Sequence, residues 1–149
     1  MDRKIQKKYV DNALGFPVVL LNAPMLKVRG EWALHVNYNG YQRAVLLLLA
    51  HKPARLTGNE VHFVRAHFEL TVRAFAKVFS VKHPAVLKWE AKGNKPTRMS
   101  WSTEKDIRLF VLDKLDEKDS ELRELYRSLR EAAPTSLDPI VINGRDIAA

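Results

Sequence analysis

The sequence predicts a mainly α fold with a small N-terminal antiparallel β-sheet, organised around a helix-turn-helix. Three observations predict it. β-Branched stretches and period-two alternation mark the first forty or so residues. From residue 57 onward, apolar residues recur at helical spacing behind recognisable capping residues. Within that region the stretch LTVRAFAKVFSVKHPAVLKWE, residues 70–90, puts its apolar side chains where two short helices crossing at a tight turn must bury them. With 149 residues and 46% hydrophobic content, the chain can build one compact unit with a real core.

Each element has its own signal. After a basic leader, residues 16–23 (FPVVLLNA) are β-branched and aliphatic, residues 25–28 continue extended, and Arg29-Gly30 supplies a turn. Residues 31–37 then alternate Trp32, Leu34 and Val36 against Glu31, His35 and Asn37, the period of a half-buried strand. Asn39 and Gln42 resemble a capping pair before residues 41–50, apolar on nearly every side and therefore a buried helix that Pro53 ends. Thr57 and Glu60 form a capping box for a helix to about Phe68, with Val61, Val64 and Phe68 on one stripe. Thr71 caps the next helix, and Pro84 suits the first turn of the one after, where its missing N–H has no helical partner to lose.

Gly93 and Pro96 close that segment, residues 92–101 read as a loop, and Thr103 with Asp106 opens a helix to about Leu115. Ile107, Phe110, Val111 and Lys114 share a face of it, whereas Leu109 and Leu112 lie off that face and are read as a dimer interface. A final helix over residues 119–132 carries Leu122, Leu125, Tyr126 and Leu129 at helical spacing, before an extended tail. The expected domains are residues 1–52, a β-hairpin plus buried helix for dimerisation or partner binding; residues 53–132, the helix-turn-helix domain; and residues 133–149, the tail.

In the central motif Ala76 is the small residue wanted at the helix crossing, and Val81, Val86 and Trp89 anchor the last helix against Phe75 and Phe79. With that face buried, the residues left for base edges are Lys82, His83, Pro84, Ala85 and Lys88. Lys88 is suited to guanine O6 or N7, His83 to an acceptor or a phosphate, and Pro84 with Ala85 to a thymine methyl. Thr71, Arg73, Lys77, Lys92 and Lys95 are the phosphate contacts.

Charge supports this placement. The net +8 is distributed as +4 over residues 1–51, +7 over 52–105 (11 basic against 4 acidic residues) and −3 over 106–149. The excess thus coincides with the helix-turn-helix and points to a polyanionic partner, double-stranded DNA. The absence of cysteine removes disulfides, thiol nucleophiles and cysteine-ligated zinc. His62 and His67, five apart, face different sides of a helix and make no metal pair, so neither a metal nor any other cofactor is expected. The longest apolar run, residues 44–50, falls far short of the roughly 20 residues a bilayer span needs, and no signal peptide follows the leader. The expectation is a cytoplasmic protein without membrane contact, nucleoid-associated when bound to DNA. No phosphate loop, dinucleotide fingerprint, nucleophile motif or clustered carboxylates appear, so no catalytic residue is assigned.

The segment Leu70-Thr71-Val72, Phe75-Ala76, Phe79-Ser80-Val81-Lys82, Val86, Lys88-Trp89-Glu90 and Gly93 resembles the lambda-repressor-like, or Xre, family of DNA-binding domains over about a quarter of the chain. With residues 56–60 added, it is most similar to the DNA-binding domain of MqsA-type antitoxins. The resemblance implies a lambda-repressor-like helix-turn-helix bundle acting as a dimeric repressor. Val72 replaces the family's usual phosphate- or base-holding glutamine, Ser80 replaces a turn glycine at a cost of roughly 1–2 kcal/mol for left-handed backbone, and Leu87 takes a usually polar site. The zinc-binding cysteine pairs of the MqsA N-terminal half are absent. The expected function is sequence-specific DNA binding by a homodimer that lays the helix of residues 83–91 into the major groove of a palindromic operator. The alternative is an antitoxin whose N-terminal part masks a toxin protein, with DNA binding for autoregulation.

Overall fold

In a computed structural model of the chain, residues 2–115 and 139–149 are described. They divide into two units, residues 2–46 with 139–149, and residues 47–115.

The first unit is a four-stranded sheet. The leader is a strand, β1 (Arg3–Asp11), pairing antiparallel with β2 (Val18–Val28), which turns back at Arg29-Gly30 into β3 (Glu31–Leu34). A fourth strand, β4 (Val141–Asn143), comes from the far end of the chain and pairs parallel with Val19, Leu20 and Leu21 of β2. A short 3-10 turn, Gly144–Ile147, follows it. There the backbones meet closely: a Cβ on Gly144 would lie 2.6 Å from Asn22 O and 2.9 Å from Ala23 Cα, so only glycine fits.

The fold is therefore mixed α/β, not mainly α, and its strands are not confined to an N-terminal antiparallel sheet. Two physical reasons account for the difference. β1 is dominated by lysine and arginine, as befits a strand hydrogen-bonded on one side only, so it carries no hydrophobic alternation to read. β4 is only three residues long; its Ile142 and the preceding Ile140 are buried while Val141 is exposed, a pattern too short to stand out beside prolines.

Strand β2 buries Val18 and Leu20, then Ala23 and Met25. The step of three across Asn22, whose φ is 53°, breaks strict alternation. Helix α1 (Tyr38–Ala50) is capped two residues before the expected Asn39, because the Asn37 side chain accepts the Gly40 N–H at 2.9 Å. Tyr41 donates its hydroxyl to Asp11 at 2.7 Å; burial and this neighbouring carboxylate push the phenol well above its ordinary pKa.

In the second unit, α2 (Gly58–His67) is opened by the expected capping box: Thr57 Oγ1 accepts the Glu60 N–H at 3.2 Å and the Glu60 carboxylate accepts the Thr57 N–H at 2.9 Å. Helices α3 (Val72–Val78) and α4 (His83–Glu90) follow, then α5 (Trp101–Lys114), whose cap is Ser100, not Thr103. The buried face of α5 is Glu104, Ile107, Arg108, Val111 and Leu112, at helical spacing but including two charged residues. Leu112 is 1% exposed, so it belongs to the core of the single chain and not to a dimer surface; Leu109 is half-buried. The helix expected over residues 119–132 lies outside the described residues. No helix among those described is long and apolar enough to cross a membrane.

Candidate nucleic-acid interface

Helices α3 and α4 meet at a four-residue turn. Thr71 accepts the Ala74 N–H at 3.1 Å and so fixes where α3 begins. At the turn the Val81 N–H reaches back to Ala76 O at 3.0 Å while Ser80 takes φ = 55°, the left-handed conformation usually left to glycine. Phe75, Ala76, Val86 and Trp89 are buried, and the Phe75 and Phe79 rings stack edge-on with centroids 4.8 Å apart. Phe79 in turn meets Phe110 of α5 at 5.3 Å, which locks the α3 end of the turn to the rest of the unit.

Two further contacts fix α4, and neither has a local sequence signal. Glu90, at its last turn, accepts hydrogen bonds from Arg65 Nε at 2.7 Å and Nη2 at 2.8 Å, and also contacts His62 Nδ1. Burial alone would raise the Glu90 pKa, but the hydrogen bonds from Arg65 and His62 outweigh it and hold the carboxyl below its ordinary value. Arg65 also donates to Leu70 O at 3.0 Å, so one guanidinium ties α2 to both the start of the α3 segment and the end of α4. The second contact is steric. A Cβ on Gly58 would stand 2.9 Å from Gly93 N and 3.0 Å from Glu90 O, and closer still to Trp89 O, so α2 begins directly against the end of α4.

Bracing one side of α4 in this way leaves the other in solvent. Pro84 and Lys88, four residues apart, share one face; His83 and Leu87 share the adjacent one. Lys82, Pro84 and Lys88 are exposed, and His83 and Ala85 are half-buried. Leu87 is 54% exposed, the apolar residue of this face that sequence reading did not assign to a base contact. Arg73 and Lys77 are exposed on α3 beside the exposed cap Thr71. Lys92 and Lys95 are also exposed, on a loop held to the start of α2 by Asn59 N–H to Gly93 O at 2.8 Å and Gly58 N–H to Lys95 O at 3.2 Å.

The electrostatics of this surface are one-sided. Between Thr71 and Lys95 the chain carries Arg73, Lys77, Lys82, Lys88, Lys92 and Lys95 against a single carboxylate, Glu90, which Arg65 already holds. None of the six cations forms an ion pair among the described residues. Unpaired cations on a rigid scaffold attract a polyanion without first breaking internal pairs.

A second charged group in the same unit behaves oppositely. Arg108 and Glu104 are completely buried and paired at 2.9 Å, and the Arg108 guanidinium also donates to Lys52 O at 2.6 Å and Ala54 O at 2.5 Å. Arg55 donates to the other Glu104 oxygen at 3.0 Å, and Lys52 to both oxygens of Glu60 at 2.8 and 2.7 Å. These partners lie up to 56 residues apart, which is why no local pattern announced them. Compared with known proteins, the chain matches no family model, no curated protein and no solved structure.

Proposed function

We propose that the chain is a sequence-specific DNA-binding regulator that presents α4 to the major groove of double-stranded DNA, acting as a homodimeric repressor. One observation carries the reading: α4 is buried through Val86 and Trp89 while Lys82 and Lys88 stand on its solvent side within a field of six cations that form no ion pair among the described residues. In the bound state Lys88 donates to guanine, His83 to a base acceptor or a phosphate, and Leu87 joins Pro84 and Ala85 against thymine methyl groups. Thr71, Arg73, Lys77, Lys92 and Lys95 contact the backbone and set the register. The resemblance of residues 70–93 to the lambda-repressor-like motif supports the same reading. A two-fold dimer requires half-sites roughly 34 Å apart, one turn of the duplex.

The test is selection of bound duplexes from a randomised library, followed by affinities of the wild type and of His83→Ala with Lys88→Ala on the selected duplex and a scrambled one. Each true base contact is expected to cost about 1–3 kcal/mol on the selected duplex only. Equal losses on both duplexes would rule out base reading. The steepness of salt dependence then gives the number of phosphates neutralised, and Lys77→Ala should reduce it by about one.

A further inference from the structure

We infer that the first unit carries a separate surface for single-stranded nucleic acid, in which Trp32 stacks on a base while Lys4 and Lys27 take the neighbouring phosphates. This inference does not rest on the reading of α4, since every residue in it belongs to the other unit.

Its starting point is a side chain that alternation assigned to the buried side of a strand. Trp32 is instead 38% exposed, on a four-residue strand none of whose residues is fully buried. Strand register explains its surroundings. Lys27 lies directly opposite Trp32 across the β2–β3 pair, and Lys4 lies opposite Met25 across the β1–β2 pair, so the indole reaches over β2 toward β1. The Lys27 ammonium stands 5.8 Å from the ring centroid and the Lys4 ammonium 4.5 Å from it. Arg3, on β1, and Arg29, in the turn between β2 and β3, are exposed close by in sequence.

Two carboxylates accompany these four cations, Asp2 and Glu31. Neither forms an ion pair with any of them among the described residues, so Lys4 and Lys27 have the indole as their electrostatic partner. An ammonium held only by an exposed ring is readily surrendered to a phosphate, which is a full negative charge. The exchange uncovers the ring face at the moment a base is delivered beside it. A base and its phosphates therefore match both halves of the patch, whereas an acidic peptide matches the cations only. Single strands are favoured because bases in a duplex are already stacked on one another and offer no free face. A cavity of about 310 Å³ opens beside the patch, walled by Arg3, Lys4 and His35 with Ile5 and Pro24, and gives room for the adjoining nucleotide.

The test uses the full chain with a fluorescein-labelled oligothymidylate of about 12 nucleotides, read by anisotropy, together with intrinsic tryptophan quenching. Trp32→Ala is expected to weaken binding about tenfold and Lys4→Ala with Lys27→Ala by a similar factor. Trp32→Phe, which keeps a ring, is expected to retain most of the affinity but lose the quenching. His83→Ala with Lys88→Ala should leave oligothymidylate binding unchanged, which separates this surface from that of α4. Unchanged affinity in Lys4→Ala with Lys27→Ala would overturn the inference, as would quenching that persists in Trp32→Phe. A duplex of the same length or poly-glutamate bound as tightly, with the same dependence on Trp32, would overturn the assignment to single strands.

Discussion

Arg108 and Lys88 are both helical cations of the second unit, and their surroundings could hardly differ more. Arg108 has no exposed surface and donates to Glu104 and to the carbonyls that follow α1, while Lys88 stands in solvent and forms no ion pair among the described residues. Burial lowers the Arg108 pKa below the ordinary guanidinium value, and the neighbouring Glu104 offsets part of that effect. A charge surrounded by partners has become part of the architecture, since moving it would strand buried acceptors. A charge on a braced helix without partners is available to something outside the chain. The lesson is that the +7 excess of residues 52–105 is not uniform: Lys52, Arg55 and Arg65 are committed internally, and the cations of α3, α4 and the following loop supply the field.

The strongest way to break this contrast is Arg108→Met. It leaves the Glu104 carboxylate buried with one partner fewer and three carbonyl contacts unmet, and the expected loss is about 3–5 kcal/mol in urea unfolding. Adding Glu104→Leu should recover part of it, because the buried carboxylate that has lost its Arg108 partner is then gone; no recovery would mean that the carbonyl contacts dominate. Next in size is Gly58→Ala, where the new methyl would meet the end of α4. The expected loss is about 1–3 kcal/mol by the same measurement, with DNA affinity falling as the α2–α4 brace shifts.

Glu90 tests the brace by pH. Its carboxyl titrates below the ordinary value when folded, so the stability it contributes is fully present above the unfolded-state pKa and is lost as pH falls through the depressed one. Melting temperatures of Glu90→Gln should be lower than wild type at neutral pH and converge with it on acidification; parallel curves would show that the Arg65 contact is energetically silent. The smallest expected effect is that of Lys88→Ala on folding, within about 0.5 kcal/mol of wild type, even as DNA affinity drops. A large destabilisation there would erase the distinction between the two kinds of cation.

Local signals in this chain were legible where the physics is local. The Thr57–Glu60 capping box, the Thr71 cap and the left-handed Ser80 all depend on residues within one turn of each other, and each stands where spacing put it. The burial of Val86 and Trp89 follows from the same short-range periodicity. What escaped was whatever needed a distant partner. The lysine-rich leader is a strand because β2 offers it an edge, and Val141 pairs with Val19 across more than a hundred residues. Leu112 is core and Trp32 exposed for the same reason: a helix or strand declares its faces, but not which of them a neighbour will cover.

The order of side chains alone therefore determined the caps, the helix starts of the central segment and the concentration of positive charge upon it, because capping, helical periodicity and charge act over a few residues. Only the folded chain decided that the sheet is mixed, that Arg108 and Glu104 are sealed inside, and that six cations remain unpaired among the described residues. Those outcomes depend on strand pairing and on which faces find cover, and the free energy of both resides in contacts between residues that the sequence keeps far apart.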